Sequence, residues 1–218
     1  MGYLPEAVVN YLVRLGWSYG DQEEFTLEEL IEKFSLEAVG KSPAAINPGK
    51  LDWLNAQYIK KINLDRLIER VRPFIESKGF SITDSDLLRK SVLSLRERVK
   101  TLVEMADLGE FYFRKEVIYE DKAVEKFLKL ESMPILEQII DALSTAAGLD
   151  KEKSHRLIQQ IAETRKEALV KIAQPIRVAL TGKAASPPLD EVMEILGKEE
   201  VIKRLNRAME YIEGRTPK

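Results

Sequence analysis

Apolar residues recur at three- and four-residue intervals through most of the chain, the spacing that gathers side chains on one face of an α-helix. Ala7, Val8, Tyr11, Leu12 and Leu15 mark a first helix, entered at Pro5, where a first-turn proline is tolerated, and stopped at Gly16. Trp17-Ser18-Tyr19-Gly20-Asp21 reads as a turn. Thr26 with Glu29 is a capping box, and Leu27, Leu30, Ile31 and Phe34 are expected on the buried side of the helix it opens. Ser42-Pro43 and Asn47-Pro48-Gly49 break the chain, and Leu51, Leu54, Tyr58 and Ile59 begin a third periodic run. Asn63 caps a helix through Leu64, Leu67, Ile68, Val71 and Ile75 that Pro73 is expected to bend or end early, and Lys78-Gly79 closes it.

Thr83-Asp84 opens the next helix, in which Leu88, Val92, Leu95, Val99, Leu102 and Ala106 form one stripe. At ~100° per residue, Arg89, Arg96 and Lys100 fall on one flank of that stripe and Arg98 on the other. The packed face supports the stems of such side chains while their heads reach solvent or ligand, and most charge runs of this kind are solvated helix faces. Phe111-Tyr112-Phe113 and Tyr119 form an aromatic patch, expected to pack a helix corner rather than to stack bases. Lys122 to Leu130 is a short helix, Ser132-Met133-Pro134 a boundary, and Ile135, Leu136, Ile139, Ile140 and Leu143 a helix ending at Gly148. Asp150 starts a long one with Leu157, Ile158, Ile161, Leu169 and Ile172 as its apolar positions. Together with Val201, Ile202, Leu205, Ala208, Met209 and Ile212 these predict a second helical bundle, and Arg215-Thr216-Pro217-Lys218 reads as a frayed end. There is no internal repeat, and heptads are not sustained.

The stretch from Gln174 to Glu199 organises the second bundle. A helix-like lead-in ends in a loop bearing Gly182, Ser186-Pro187-Pro188 closes it, and a new helix runs from Leu189 to Gly197. Gly182 permits backbone angles closed to other residues, Ser186 is suited to cap the new helix, and the prolines stiffen its entry. Arg177, Lys183 and the unpaired N–H groups of that helix start are placed to converge on one anion.

Composition narrows the function classes. At 218 residues, with 44% hydrophobic and 32% charged positions, the chain fits one large or two to three small helical domains. No run approaches the ~20 apolar residues of a membrane span, and the N-terminus lacks a signal-peptide pattern, so a cytoplasmic location is expected. Cysteine is absent, which excludes disulfides and cysteine-ligated zinc. With His155 as the one histidine, expected on a helix surface, no serine–histidine triad or multi-histidine metal site is expected. A net charge of −2 argues against sequence-blind nucleic-acid binding, but the balance is uneven. Residues 1–60 carry five Lys/Arg against nine Asp/Glu, whereas Arg89, Lys90, Arg96, Arg98 and Lys100 face Glu97 alone. Any contact with nucleic acid should therefore be local.

Pro175-Ile176-Arg177-Val178-Ala179-Leu180-Thr181-Gly182, Ser186-Pro187 and Leu196-Gly197-Lys198-Glu199 resemble the C-terminal anticodon-binding region of bacterial-type glutamyl-tRNA synthetases. SLRERVKTLVEMADLGEFYF is similar to the first anticodon-binding helical domain of that family. GYLPEAVVNYLVRLGWSYGDQEEF and INPGKLDWLNAQYIKKI resemble the segment that follows its catalytic loop and joins the two halves of the enzyme along the inside of the bent tRNA. The resemblance implies an all-α, elongated array: a stem-contact linker domain over residues 1–62 and helical anticodon-binding domains over 63–131 and 132–218. It implies contacts to the tRNA stem from Lys50, Trp53 and Asn55, although Trp53 by itself reads as a core or interdomain residue.

In the family an arginine of the first anticodon-binding domain reads the anticodon, a chemistry suited to arginine because its fork of donors matches a pairing edge and its plane stacks on a splayed base. Arg96, Arg98 and Lys100 are all candidates for that position. Arg177, Thr181, Ser186, Pro187 and Leu189 match family positions lining the pocket for anticodon bases, with Asp190 a departure where family members often carry a larger residue. No catalytic template is present: there is no phosphate loop, His-Glu-x-x-His, Gly-x-Ser-x-Gly or cysteine nucleophile, and both ATP signatures of the synthetases are missing. The implied protein is a monomeric, glutamate-tRNA-binding portion of a ligase whose ATP and magnesium belong to its catalytic domain, with no cofactor or metal and no activity of this portion alone. A stand-alone helical protein-interaction adaptor with the same fold is the first alternative, and an unrelated enzyme the second.

Overall fold

The computed structural model describes residues 1–41 and 44–215, and among them the regular structure is all helical, with one isolated bridge between Tyr19 and Gln22. The expected break at Ser42-Pro43 and the frayed end beyond Arg215 lie outside the described residues. Contacts gather the chain into two compact units, Met1–Ser81 with Leu95–Leu108, and Ile82–Ser94 with Gly109–Lys218.

The first unit holds α1 (Pro5–Gly16), α2 (Leu27–Lys33), a 3-10 turn at Leu36–Ala38, α3 (Pro48–Lys61) and α4 (Leu64–Glu76). The capping box forms at Thr26 and Glu29. Of the four apolar residues expected to be buried by α2, however, Leu30 alone is; Leu27, Ile31 and Phe34 are exposed. Leu30 makes the inward contact of α2, in a cluster with Trp17 and Phe25. Asn10 is the polar hub of this unit. Fully buried, it accepts from Phe25 N at 2.7 Å and donates to the Glu23 carbonyl at 2.9 Å, which ties residues 23–25 to α1. Tyr58 of α3 bonds to Asn10 and to the Phe25 carbonyl, and burial pushes its hydroxyl up to about 12. Instead of ending at Pro73, α4 continues to Glu76, so the missing proline N–H removes one bond without stopping the element.

The single helix expected across residues 84–106 is two, α5 (Ser85–Leu95) and α6 (Leu102–Phe113), with a turn over residues 96–101. Thr101 and Glu104 explain the restart: Thr101 Oγ1 accepts from Glu104 N at 3.1 Å, and the Glu104 carboxylate accepts from Lys100 N at 2.6 Å. All six stripe residues are buried even so, Leu88 and Val92 within the second unit and Leu95, Val99, Leu102 and Ala106 within the first.

The second unit continues through α7 (Asp121–Phe127), a 3-10 turn at Leu130–Ser132, α8 (Met133–Thr145), α9 (Lys151–Arg165), α10 (Leu169–Thr181) and α11 (Leu189–Arg215). The long helix expected from Asp150 breaks at Lys166, which takes left-handed angles (φ 55°). Gly197 (φ 76°) kinks α11 where the expected helix stops. Phe111 and Tyr112 are buried, as expected of a helix corner. Arg204, 1% exposed, donates to the carbonyls of Phe111 (2.9 Å), Leu180 (2.8 Å) and Arg114 (3.1 Å) and pairs with Glu200 at 2.8 Å. It thereby serves the carbonyl ends of α6 and α10, where the last carbonyls have no N–H donor within the helix. Burial alone would raise the Glu200 carboxyl, but the Arg204 hydrogen bond and charge outweigh it and hold the group below the usual carboxylate range. No helix among the described residues is long and apolar enough to cross a membrane.

Candidate nucleic-acid interface

The corner between α10 and α11 is built around Gly182. It closes α10 with φ 77°, and a Cβ there would stand 1.9 Å from the Ile118 carbonyl oxygen, so glycine is required on both backbone and steric grounds. Glu120 N donates to the Gly182 carbonyl at 2.9 Å, holding the segment that leads into α7 against the corner. Thr181 is buried, donating to the Arg177 carbonyl at 2.8 Å and accepting from Lys183 N at 3.2 Å. Arg177 is half-buried and reaches across the loop, with Nη1 bonded to the Pro187 carbonyl at 2.7 Å and to the Ser186 hydroxyl.

These bonds correct two expectations. Ser186 lies too far ahead of Leu189 to cap α11, because two prolines intervene; its hydroxyl serves Arg177 and donates to the Pro187 carbonyl at 2.8 Å, while Pro188 supplies the first helical acceptor, for Val192 N at 3.0 Å. The convergence of Arg177 and Lys183 with the α11 N–H groups on one anion is likewise not what the loop is built for, since Arg177 is the strut that folds it. Thr181, Pro187 and Leu189 are buried and frame the corner from within, whereas Ser186 is partly accessible.

One turn before Arg177 on α10, Gln174 contributes to a cavity of about 340 Å³ whose lining includes Lys126, Lys129, Lys171, Phe127 and Pro175. The Gln174 Oε1 atom is buried and has no hydrogen-bond partner among the described residues. A buried acceptor left without a donor costs ~1–3 kcal/mol, so this atom is suited to a ligand N–H. Glu131 and Glu167 also line the cavity, the latter answered by Arg165 at 2.9 Å. Sequence reasoning passed over Gln174 because nothing in its spacing distinguishes it from an ordinary helix-surface amide.

In the first unit, the turn over residues 96–101 sorts the three candidate readers. Arg96 points inward, Nε donating to the Ile59 carbonyl at 2.9 Å and Nη2 to that of Ile62, which ties the end of α3 to the turn. Arg98 and Lys100 are exposed, so the flank geometry of a continuous helix does not apply to any of the three. Asn55, expected at the tRNA stem, is fully buried; it accepts from Leu4 N at 2.8 Å and donates to the Lys100 carbonyl at 2.5 Å, and its amide is thus internal. Trp53, read by itself as a core or interdomain residue, is 45% exposed, so it is not part of the core. Lys50 is exposed and pairs with Glu23 at 3.0 Å; Arg14 and Lys50 hold the Glu23 carboxyl below its ordinary range. His155 is exposed on α9, 3.6 Å from an Asp190 carboxylate oxygen.

Comparison with known proteins gives this geometry a setting. A profile of the tRNA synthetases class I (E and Q) catalytic domain matches residues 1–53. The chain is 51% identical to Glutamate–tRNA ligase 1 of Syntrophus aciditrophicus, over 97% of this chain and 45% of the relative. It is 47% identical to the Glutamate–tRNA ligase of Geotalea uraniireducens, with the same two coverages. It spans about half the length of the curated relatives it matches. A crystal structure of a glutamate tRNA ligase from Elizabethkingia meningosepticum in complex with its amino acid superposes with a TM-score of 0.87 at 27% identity, covering 97% of this chain and 42% of that one. The profile described as anticodon binding domain matches residues 66–209, which include the turn bearing Arg98, the corner at Gly182 and the Gln174 cavity, and the chain belongs to that family.

Proposed function

We propose that this chain is the tRNA-binding part of a cytoplasmic, monomeric glutamate–tRNA ligase, inspecting the anticodon and inner stem of glutamate tRNA while a catalytic domain charges the acceptor end. In this reading residues 1–62 contact the stem, and residues 63–131 and 132–218 form the two anticodon-binding domains. The observation that carries it is the unanswered Gln174 carbonyl in a lysine-lined cavity one turn from Arg177: an acceptor for a base N–H, cations for the flanking phosphates, and Phe127 and Pro175 as an apolar floor. Arg177, Thr181, Ser186, Pro187 and Leu189 keep that region in shape.

Of the three candidates in the first unit, Arg98 is the reader, because the Arg96 guanidinium is bonded to the end of α3. Lys100 supplies charge beside it. Lys50 and Trp53 remain the stem contacts on α3, and Asn55 holds the 96–101 turn in register from inside. In this reading ATP and magnesium belong to the catalytic domain.

Each good base contact discriminates by ~1–3 kcal/mol, which is roughly 5- to 150-fold in affinity. Binding of a glutamate-tRNA anticodon stem-loop, measured by anisotropy at low salt, tests the reading. Arg98→Ala and Gln174→Leu are each expected to weaken it by that factor, and binding should fall as salt rises. No RNA binding by the parent chain, or parental affinity in both variants, overturns the assignment.

A further inference from the structure

The polar groups that line the Gln174 cavity are sorted by type. Its buried ones are acceptors. The Gln174 Oε1 atom has no partner among the described residues, and the buried Ser132 hydroxyl donates its one proton to the Lys129 carbonyl at 2.6 Å, which leaves it only lone pairs for a ligand. The donors are the ammonium groups of Lys126, Lys129 and Lys171, all exposed residues at the rim. Of the two carboxylates, Glu167 pairs with Arg165 at 2.9 Å and Glu131 is exposed, so the rim remains cationic on balance. Phe127, Ile135 and Pro175 supply apolar wall.

That order selects a ligand. The group that enters first must bring N–H, because a carbonyl set against Oε1 would leave two buried acceptors unpaired. It must be neutral, since three lysines oppose an ammonium, and flat enough to lie on Phe127 and Pro175, while its trailing end is anionic. A volume of about 340 Å³ is at the small end of ligand sites and leaves room for one nucleotide. A nucleotide that enters base first leads with the atom opposite its glycosidic nitrogen. In cytosine and adenine that atom is an exocyclic amine, with two hydrogens for two acceptors; in uracil, guanine and hypoxanthine it is a carbonyl oxygen.

We propose that the Gln174 cavity takes one unstacked nucleotide with an amino base, cytosine or adenine, and rejects keto bases, with Gln174 and Ser132 as the residues that decide. The choice of a nucleotide as occupant rests on the tRNA reading above, in which the identity of the base is open.

Mononucleotides test this chemistry without a tRNA. CMP against UMP, and AMP against IMP, exchange an amine for a carbonyl at the leading atom. Each is titrated into the full chain and into its Gln174→Leu and Gln174→Glu variants, followed by NMR of the Ile135 and Val170 methyl groups, which border the cavity. The amino nucleotides are expected to bind the parent about fivefold tighter than their keto counterparts or better. That preference should vanish in Gln174→Leu and persist in Gln174→Glu, whose carboxylate can only accept. Equal or reversed affinities in the parent, a preference that survives Gln174→Leu, or no binding of any of the four overturns the proposal. In the glutamate-tRNA anticodon stem-loop, each loop C or A is then replaced in turn by U or inosine. One position is expected at which the change weakens binding to the parent by roughly 5- to 150-fold and leaves binding to Gln174→Leu unaffected. A stem-loop that binds and has no such position removes the amino-base assignment and leaves the tRNA reading standing. An amino preference among the mononucleotides with no stem-loop binding does the reverse.

Discussion

Two short amphipathic helices, α2 in the first unit and α10 in the second, carry similar apolar spacing and meet opposite fates. From Leu169 to Thr181, α10 buries Ile172, Pro175, Ile176, Val178, Ala179, Leu180 and Thr181, because helices and the segment ahead of α7 close around it. From Leu27 to Lys33, α2 buries Leu30 and leaves Leu27 and Ile31 in solvent. Periodicity fixes which residues share a face; what covers the face depends on neighbours that local sequence does not encode. The arginines extend the lesson. Arg96 in the first unit and Arg177 and Arg204 in the second all turn to main-chain carbonyls at helix ends or in loops, so an arginine is used for binding RNA only where the fold has not already used it.

The contrast between buried and presented arginines is broken most severely by Arg204→Met. Three carbonyls and the Glu200 carboxylate would lose their donor, and urea unfolding followed by circular dichroism is expected to show a loss of about 3–5 kcal/mol. Arg98→Ala is expected to stay within about 0.5 kcal/mol, since the side chain is exposed. Equal losses in the two would erase the distinction.

Backbone geometry gives the next largest effect. Gly182 and Gly20 both have positive φ, 77° and 53°, but a Cβ at Gly182 meets the Ile118 carbonyl whereas nothing lies within 4 Å at Gly20. Gly182→Ala combines left-handed strain with overpacking and should cost about 2–5 kcal/mol; Gly20→Ala should cost about 1–2 kcal/mol, from the backbone term alone. Thermal melting of the two variants measures the difference.

The smallest effect separates two tyrosines. Burial pushes both Tyr58 and Tyr119 up to about 12, yet Tyr58 bonds to Asn10 and the Phe25 carbonyl, while the buried Tyr119 hydroxyl has no partner among the described residues. Tyr58→Phe should lose about 1 kcal/mol at neutral pH, and Tyr119→Phe should be neutral or mildly stabilising. Each folded-state value lies above the ordinary 10, so the neutral phenol favours folding; that contribution is intact below pH 10 and is lost as pH rises through about 12. Both variants should therefore lose less stability than the parent over that alkaline window.

Much of the molecule is legible in the order of its residues. The all-helical class, the caps at Thr26 and Asn63, the left-handed position at Gly182 and the kink at Gly197 follow from local chemistry, because a cap or a positive φ is decided by side chains a few residues away. The restart of α6 was written in Thr101 and Glu104 as well, but the apolar stripe running through residues 95–102 outweighed it as a signal. Which charged side chains are available was decided by the tertiary structure alone. Arg96 and Arg98 are chemically identical and two residues apart, and one is turned to Ile59 while the other faces water because α3 ends beside the first. The same holds for Asn55, taken up by Leu4 and Lys100, and for Gln174, whose carbonyl is unanswered only because the elements around it supply no donor. Hydrogen bonds between residues dozens of positions apart depend on where the helices come to rest, and hydrophobic periodicity leaves that unspecified.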